Sequence, residues 1–307
     1  MDDRTGWTLA DIPDLSGRRA LVTGVTSGIG EKTALELARH GAEVILAARS
    51  EDKLDVTEAH LRRELPDAVL RRVRLDLADL SSVRRAAAEA SQHGPLHLLV
   101  NNAGVMATPY QRTIDGFELQ LATNHLGPFL LTGLLWPRLV ESGDGRVVSI
   151  SSQAHRLTRR PGLEDPRLER GRHSRWLAYS RSKLANLLFT FELDRRCRNE
   201  RLPVRALAAH PGFSATGLMA ARGGTGAVSR VLEAAFSVAG QPAALGALPT
   251  LMAATADLPG STYVGPGNLF QMRGLPRVVA ARRLAHDPEA QRALWELSEQ
   301  ATGVRYP

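Results

Sequence analysis

Tyr179 and Lys183 stand four residues apart in the stretch YSRSK (179–183). On a helix that spacing puts both side chains on one face. An ammonium beside a phenol stabilises the phenolate and lowers the tyrosine from its reference value of about 10. The phenol then becomes usable as a general acid or base near neutral pH. Lys183 is one of three lysines, with Lys32 and Lys53, among 39 lysines and arginines. Arginine is a poor substitute where a compact point charge must reach its partners, so a lysine kept in an arginine-rich chain points to a job for it.

A second constellation, TGVTSGIG (23–30), follows the β-branched run RALVTG (19–24) and opens a helix that starts at about Ile29. Gly24 allows a tight turn, Gly28 lets the backbone approach a pyrophosphate, and Gly30 lets the helix pack close to the strand. The free N–H groups of the helix start then face the phosphates. Thr26, Ser27 and Ile29, within the same turn, are counted with this dinucleotide site. An acidic residue at the end of the second strand, about 20 residues past the glycines, would mark NAD. The second strand, EVILAAR (43–49), ends without a carboxylate and with Arg49. A guanidinium fork suits a 2′-phosphate, so NADP(H) is expected and NAD is less favoured.

These residues need a scaffold, and the chain alternates β-branched runs with helical stretches, the pattern of βαβ units around a parallel sheet. Strands are expected at 19–24, 43–49, 69–77, 96–104, 145–152 and 202–212, with a short one near Thr262–Val264. Helices are expected at about 29–40, 52–65, 81–94, 116–139 and 179–199. The order fits an open doubly wound α/β sheet of about seven strands in one domain spanning 1–307. Residues 153–178 read as an Arg-rich, lid-like insertion and 213–240 as a Gly-rich, apolar substrate loop. A C-terminal extension starts at about 265. Ser152 ends the fifth strand, and its neighbour Ser151 should point to the opposite face.

The glycine spacing, with DL (76–77), NNAG (101–104), Asn124, SS (151–152), YSRSK and HPG (210–212) in order, resembles the short-chain dehydrogenase/reductase family over residues 16–265. NHLGPF (124–129), SKLANLLF (182–189) and YVGPGNLFQMRG (263–274) look most like its retinol-dehydrogenase-like and related bacterial branch. The resemblance implies a Rossmann domain and specific roles. Tyr179 is the general acid/base, Lys183 also reaches the cofactor ribose, and Ser152 hydrogen-bonds the substrate oxygen. Asn124 holds a water beside Lys183 through its backbone and side chain, forming a proton path, unless it is simply an Asn satisfied by a neighbouring carbonyl. Asp76 accepts from the adenine amine with Leu77 beside the base, and Asn101 is an adenine-side contact. Ala103 and Gly104 let the ribose lie on the backbone. Pro211, Gly212 and Thr216 lie near the nicotinamide carboxamide. Asp76 could instead cap the following helix, although Asp79 and Ser81 are better placed to do so, and NNAG is also simply a good turn. The activity implied is NADP(H)-dependent interconversion of a hydrophobic alcohol and its ketone or aldehyde. The alternative is a non-catalytic dinucleotide-binding regulator on the same fold.

Composition fits this reading. Of 307 residues, 43% are hydrophobic and 23% charged, near the globular average. The lone Cys197 forms no internal disulfide, and no Cys/His cluster has zinc spacing, so no metal is expected. The first residues carry two Asp and no apolar stretch, and no run is long and apolar enough to span a bilayer, which leads to the expectation of a cytoplasmic protein. The +7 net charge is spread without an aromatic-interleaved basic stripe, so a solvated surface is expected rather than nucleic acid. A homodimer through 116–139 and 179–199 is possible, unless the C-terminal extension blocks it.

Overall fold

Strand β1 (Arg19–Thr23) lies between β2 (Glu43–Ala48) and β4 (Leu98–Asn101) in the computed structural model, which describes residues 6–158, 165–167, 173–212, 241–268 and 270–307. The sheet continues with β3 (Leu70–Arg74) outside β2. On the other side come β5 (Gly145–Ile150), β6 (Val204–Ala209), β7 (Tyr263–Asn268) and β8 (Arg273–Val278), giving the order 3-2-1-4-5-6-7-8. Every pairing is parallel except β7 with β8. Among the described residues the sheet thus has eight strands, one more than the sequence suggests. The extra strand, RGLPRV, carries a glycine, a proline and two arginines, as an edge strand can.

The chain reverses its direction of winding at β1, between β2 and β4. A crevice opens there at the carboxyl ends of the strands, where open α/β sheets bind ligands. Alternate residues of the central strands feed two cores. Leu21, Ile45, Leu99 and Val147 pack on one face with Phe129 and Trp295. Val22, Leu46, Val100 and Val148 pack on the other with Leu37 and Leu251. Both faces are covered, which is why these strands read as continuous apolar runs.

Helix α1 (Gly28–Arg39) opens directly after the glycine turn. Helix α2 (Glu51–Glu64) has acidic Glu51 and Asp52 in its first turn and Arg62 and Arg63 in its last, matching the helix dipole. Asp79 caps α3 (Leu80–Ser91) by accepting from Ser81 N and Ser82 N. The helix expected at 116–139 is a composite. A short α4 (Leu119–Leu121) runs into a π turn (Ala122–Leu126) and then α5 (Gly127–Glu141), so a helix-period reading misses both its late start and its widened turn. Helix α6 (Arg175–Asn199) begins one turn earlier than expected.

Helix α7 (Ala243–Thr255) packs on α1, and α8 (Pro288–Thr302) packs on α5 and α6. Trp295, 1% exposed, stacks on Phe189 and meets Phe129 edge-on, and the Tyr306 hydroxyl donates to Phe129 O. The helices that could have paired two subunits therefore carry the chain's own C-terminal helix. The expected substrate loop at 213–240 lies outside the described residues, as do 159–164 and 168–172 of the insertion.

Candidate active site

Ile150 ends β5, and its carbonyl oxygen accepts from Lys183 Nζ at 3.0 Å and Asn186 Nδ2 at 2.9 Å. Helix α6 is thereby fixed against the strand end with Tyr179 and Lys183 on its cavity side, as the four-residue spacing requires. The two serines separate as strand alternation predicts. Ser151 Oγ donates to Lys183 O at 2.8 Å. The Ser152 side chain lines the cavity together with Tyr179 and accepts from Ala154 N at 3.2 Å.

Tyr179 is 5% exposed and Lys183 4%. Burial raises the phenol above its ordinary value, and the nearby Ser152 hydroxyl opposes that rise. Burial brings the Lys183 ammonium down to about 8. The expectation that Lys183 lowers the Tyr179 value is therefore corrected for the protein alone. Nζ lies 5.8 Å from the ring centroid and engages the Ile150 carbonyl, so desolvation of the phenol is the larger effect.

Asn124 sits in the π turn. Its Oδ1 accepts from Val105 N at 2.7 Å, and its Nδ2 donates to Val105 O and Ser182 Oγ, both at 2.9 Å. The side chain thus braces the segment after NNAG against α6 through Val105 and Ser182. Gly104 packs between Asn124 and Lys183: a Cβ there would lie 2.9 Å from Asn124 Oδ1 and 3.4 Å from Lys183 Nζ.

The glycine turn is built for close approach. Gly24 has φ +72°, and a Cβ on Gly30 would collide with the Gly24 carbonyl. The N-cap Ser27 makes no side-chain cap, so the first N–H groups of α1 stay open to the cavity. Thr23 and Asn102, which the sequence reading passed over, lock this turn to NNAG. Thr23 Oγ1 accepts from Asn102 N and Ala103 N, both at 3.0 Å, and Asn102 Nδ2 donates to Thr23 O at 2.8 Å. The doubled asparagine was the available signal.

Asn101 is corrected as a cofactor contact. It is 3% exposed, its Nδ2 donates to Thr132 Oγ1, and it faces α5 while Asn102 lines the cavity. Asp76 lines the cavity and its Oδ1 accepts from Ala78 N at 3.0 Å, leaving the helix cap to Asp79.

These parts enclose one cavity of about 1120 Å³, lined by Gly24, Thr26, Ser27, Ile29, Gly30, Arg49, Asp76, Leu77, Ala103, Gly104, Ser152, Tyr179, Lys183, Pro211 and Gly212. It exceeds the roughly 300–1,000 Å³ of a typical small-ligand site. Gly28, with φ +59°, sits within the glycine turn. Arg49 is exposed at the end of β2 and makes no ion pair among the described residues. At the other end Met106, Leu157, Trp176 and Met272 make the wall apolar. Thr216 lies outside the described residues.

The short chain dehydrogenase pattern matches residues 18–163. Human retinol dehydrogenase 13 is 36% identical over 310 residues, covering 99% of this chain and 90% of that protein. The chain belongs to the short-chain dehydrogenase/reductase family. Mouse retinol dehydrogenase 11 is 43% identical over 200 residues, 64% of this chain and 62% of its own length, so the chain spans less than two thirds of that relative. The crystal structure of an uncharacterized protein from Mycobacterium Paratuberculosis is 44% identical, with a TM-score of 0.80 over 99% of this chain and 100% of that one. This member of the family is an α/β oxidoreductase similar to retinol dehydrogenases. Among its described residues no helix is long and apolar enough to cross a membrane.

Proposed function

We propose that the chain is an NADP(H)-dependent oxidoreductase that interconverts a hydrophobic alcohol and its ketone or aldehyde, with Tyr179 as the general acid/base. The observation that carries this reading is the convergence of Tyr179, Ser152 and Lys183 on a cavity that also contains the glycine turn. A purely regulatory binder has no use for a buried phenol and a buried amine at the substrate end of its cofactor site.

The residues fit a dinucleotide. Gly24 and Gly30 leave no room for a Cβ against Ala103, Asn102 and the Gly24 carbonyl, which keeps the turn tight beneath the cavity, the α1 N-terminus offers open donors to a pyrophosphate, and Arg49, with no ion pair among the described residues, offers its fork to a 2′-phosphate. Asp76, Leu77, Ala103 and Gly104 would line the adenosine, and Pro211 and Gly212 the carboxamide end. When bound, the nicotinamide supplies or accepts the hydride.

The chain's own residues handle the proton. Ser152 orients the substrate oxygen toward Tyr179, which donates its phenolic proton to a carbonyl oxygen in reduction and takes it from an alcohol in oxidation. Lys183 stabilises the phenolate and relays the proton outward. Asn124, whose side chain lies beside Gly104 and Lys183, would hold a water on that path through its backbone and side chain. The apolar wall of Met106, Trp176 and Met272 favours a hydrophobic substrate. The test is NADPH consumption at 340 nm against a panel of apolar ketones and aldehydes. Tight NADPH binding without turnover on any of them would favour the regulatory alternative.

A further inference from the structure

His155 lies outside the cavity wall and plays no part in the chemistry above, yet it is 0% exposed and bonded at both ring nitrogens. Its Nδ1 lies 2.6 Å from the Ser152 carbonyl oxygen, which also accepts from His155 N at 3.0 Å. Its Nε2 accepts from the backbone N–H of Arg282 at 3.1 Å. An N–H donor at Nε2 requires that nitrogen to be unprotonated, so the proton sits on Nδ1 and points at Ser152. Burial, which brings the imidazole down to about 4, keeps it in this neutral form. The ring stands edge-on to Tyr263 at 5.8 Å, which fixes its plane.

The contact belongs to a larger seam. The Arg282 side chain donates to Thr158 O at 2.6 Å and to Arg156 O, and Arg156 Nη2 donates to Ala280 O at 2.6 Å. The turn carrying Ser152 is thus stitched to the segment after β8, more than a hundred residues away in sequence. We propose that His155 is a positioning residue for the reaction: as the Nδ1–H tautomer held by Arg282 N–H, it clamps the Ser152 carbonyl and so aims the Ser152 hydroxyl at Tyr179. This assignment rests on the proposed role of Tyr179 and deepens it.

The geometry separates two substitutions. In His155→Asn the amide nitrogen takes the place of Nδ1 and keeps a donor for Ser152 O. In His155→Gln the amide reaches the place of Nε2 and leaves Ser152 O without its side-chain donor. A displacement of about 1 Å in a reacting group costs on the order of 10²-fold. His155→Gln is therefore expected to lower kcat about 10- to 100-fold, with the carbonyl KM and NADPH Kd within about threefold of wild type. His155→Asn is expected to recover most of that loss. Equal losses in the two variants, or a lowered unfolding midpoint with kcat unmoved, overturns the assignment.

A second pair covers the case in which His155→Gln does not fold. Arg282 has φ −63°, a value proline adopts. Arg282→Ala keeps the N–H that binds Nε2, and Arg282→Pro removes it. The proline variant should be slower in kcat than the alanine variant by the same order, and equal rates contradict the proposal. Tyr179→Phe in the same assay tells the two levels apart. If it stays active, the proton-transfer reading fails and takes this assignment with it. If it is inactive while His155→Gln runs at the wild-type rate, only the role of His155 falls.

Discussion

Replacing Arg49 by aspartate should turn the enzyme from NADPH toward NADH. Arg49 follows the last residue of β2, lines the cavity, is exposed, and has no carboxylate partner among the described residues to compete for its fork. Its whole hydrogen-bonding capacity is therefore open to a 2′-phosphate. A hydrogen bond to a charged group contributes roughly 1.5–3 kcal/mol, or about 10- to 150-fold. The aspartate removes that contact, sets a like charge against the phosphate, and offers an acceptor to the ribose hydroxyls of NADH. The kcat/KM for NADPH should fall about 10- to 100-fold and that for NADH should rise. Because Arg49 is exposed, the preference should also narrow at high salt, where the screening length drops to about 3 Å at 1 M. Initial rates at 340 nm with one carbonyl and both cofactors give the ratio directly. A wild-type protein that prefers NADH, or an unchanged ratio in Arg49→Asp, refutes the reasoning.

Asn102→Ala removes the donor to Thr23 O that joins the NNAG segment to the glycine turn; at about 1–3 kcal/mol for a lost partner, NADPH Kd measured by fluorescence should rise about 5- to 100-fold. His125, His155 and His210 are buried and held below the usual 6.5, at about 3, 4 and 3. The unfolded chain binds more protons than the folded one between those values and 6.5, so stability rises with pH across that window and is lost as pH falls through it. Urea midpoints should thus drop from pH 7 to pH 5, and an unchanged midpoint contradicts the neutral assignments. Lys183→Met should lose both turnover and NADPH affinity if the ammonium serves the phenol and the ribose as proposed; an affinity equal to wild type removes the second role.

What could be read from the sequence was local. The glycine turn, Arg49 and the Tyr179–Lys183 spacing are set by neighbours within a few residues, and strand periodicity separates Ser152 from Ser151 on the same local grounds. Features that depend on distant partners were not readable in this way. Asn101 and Asn102 are chemically the same, and only the register of β4 sends one to Thr132 and the other to Thr23. Strand β8 has no alternation to announce it, and among the described residues it is an edge paired with β7 alone. The π turn at Asn124 holds a side chain bonded to Val105 and Ser182, neither of them adjacent in sequence. His155 falls within the Arg-rich 153–178 stretch, and its partner at Arg282 is set by the tertiary fold.

Tyr179→Phe keeps the ring and removes only the transferable proton. The test pairs NADPH binding by fluorescence with turnover on an accepted apolar carbonyl. General acid–base catalysis contributes about 10²–10⁴-fold, so turnover should fall at least about 10²-fold while NADPH Kd stays within a few-fold of wild type. A Tyr179→Phe protein that turns over within a few-fold of wild type would take Tyr179 out of the mechanism and contradict the account at its centre.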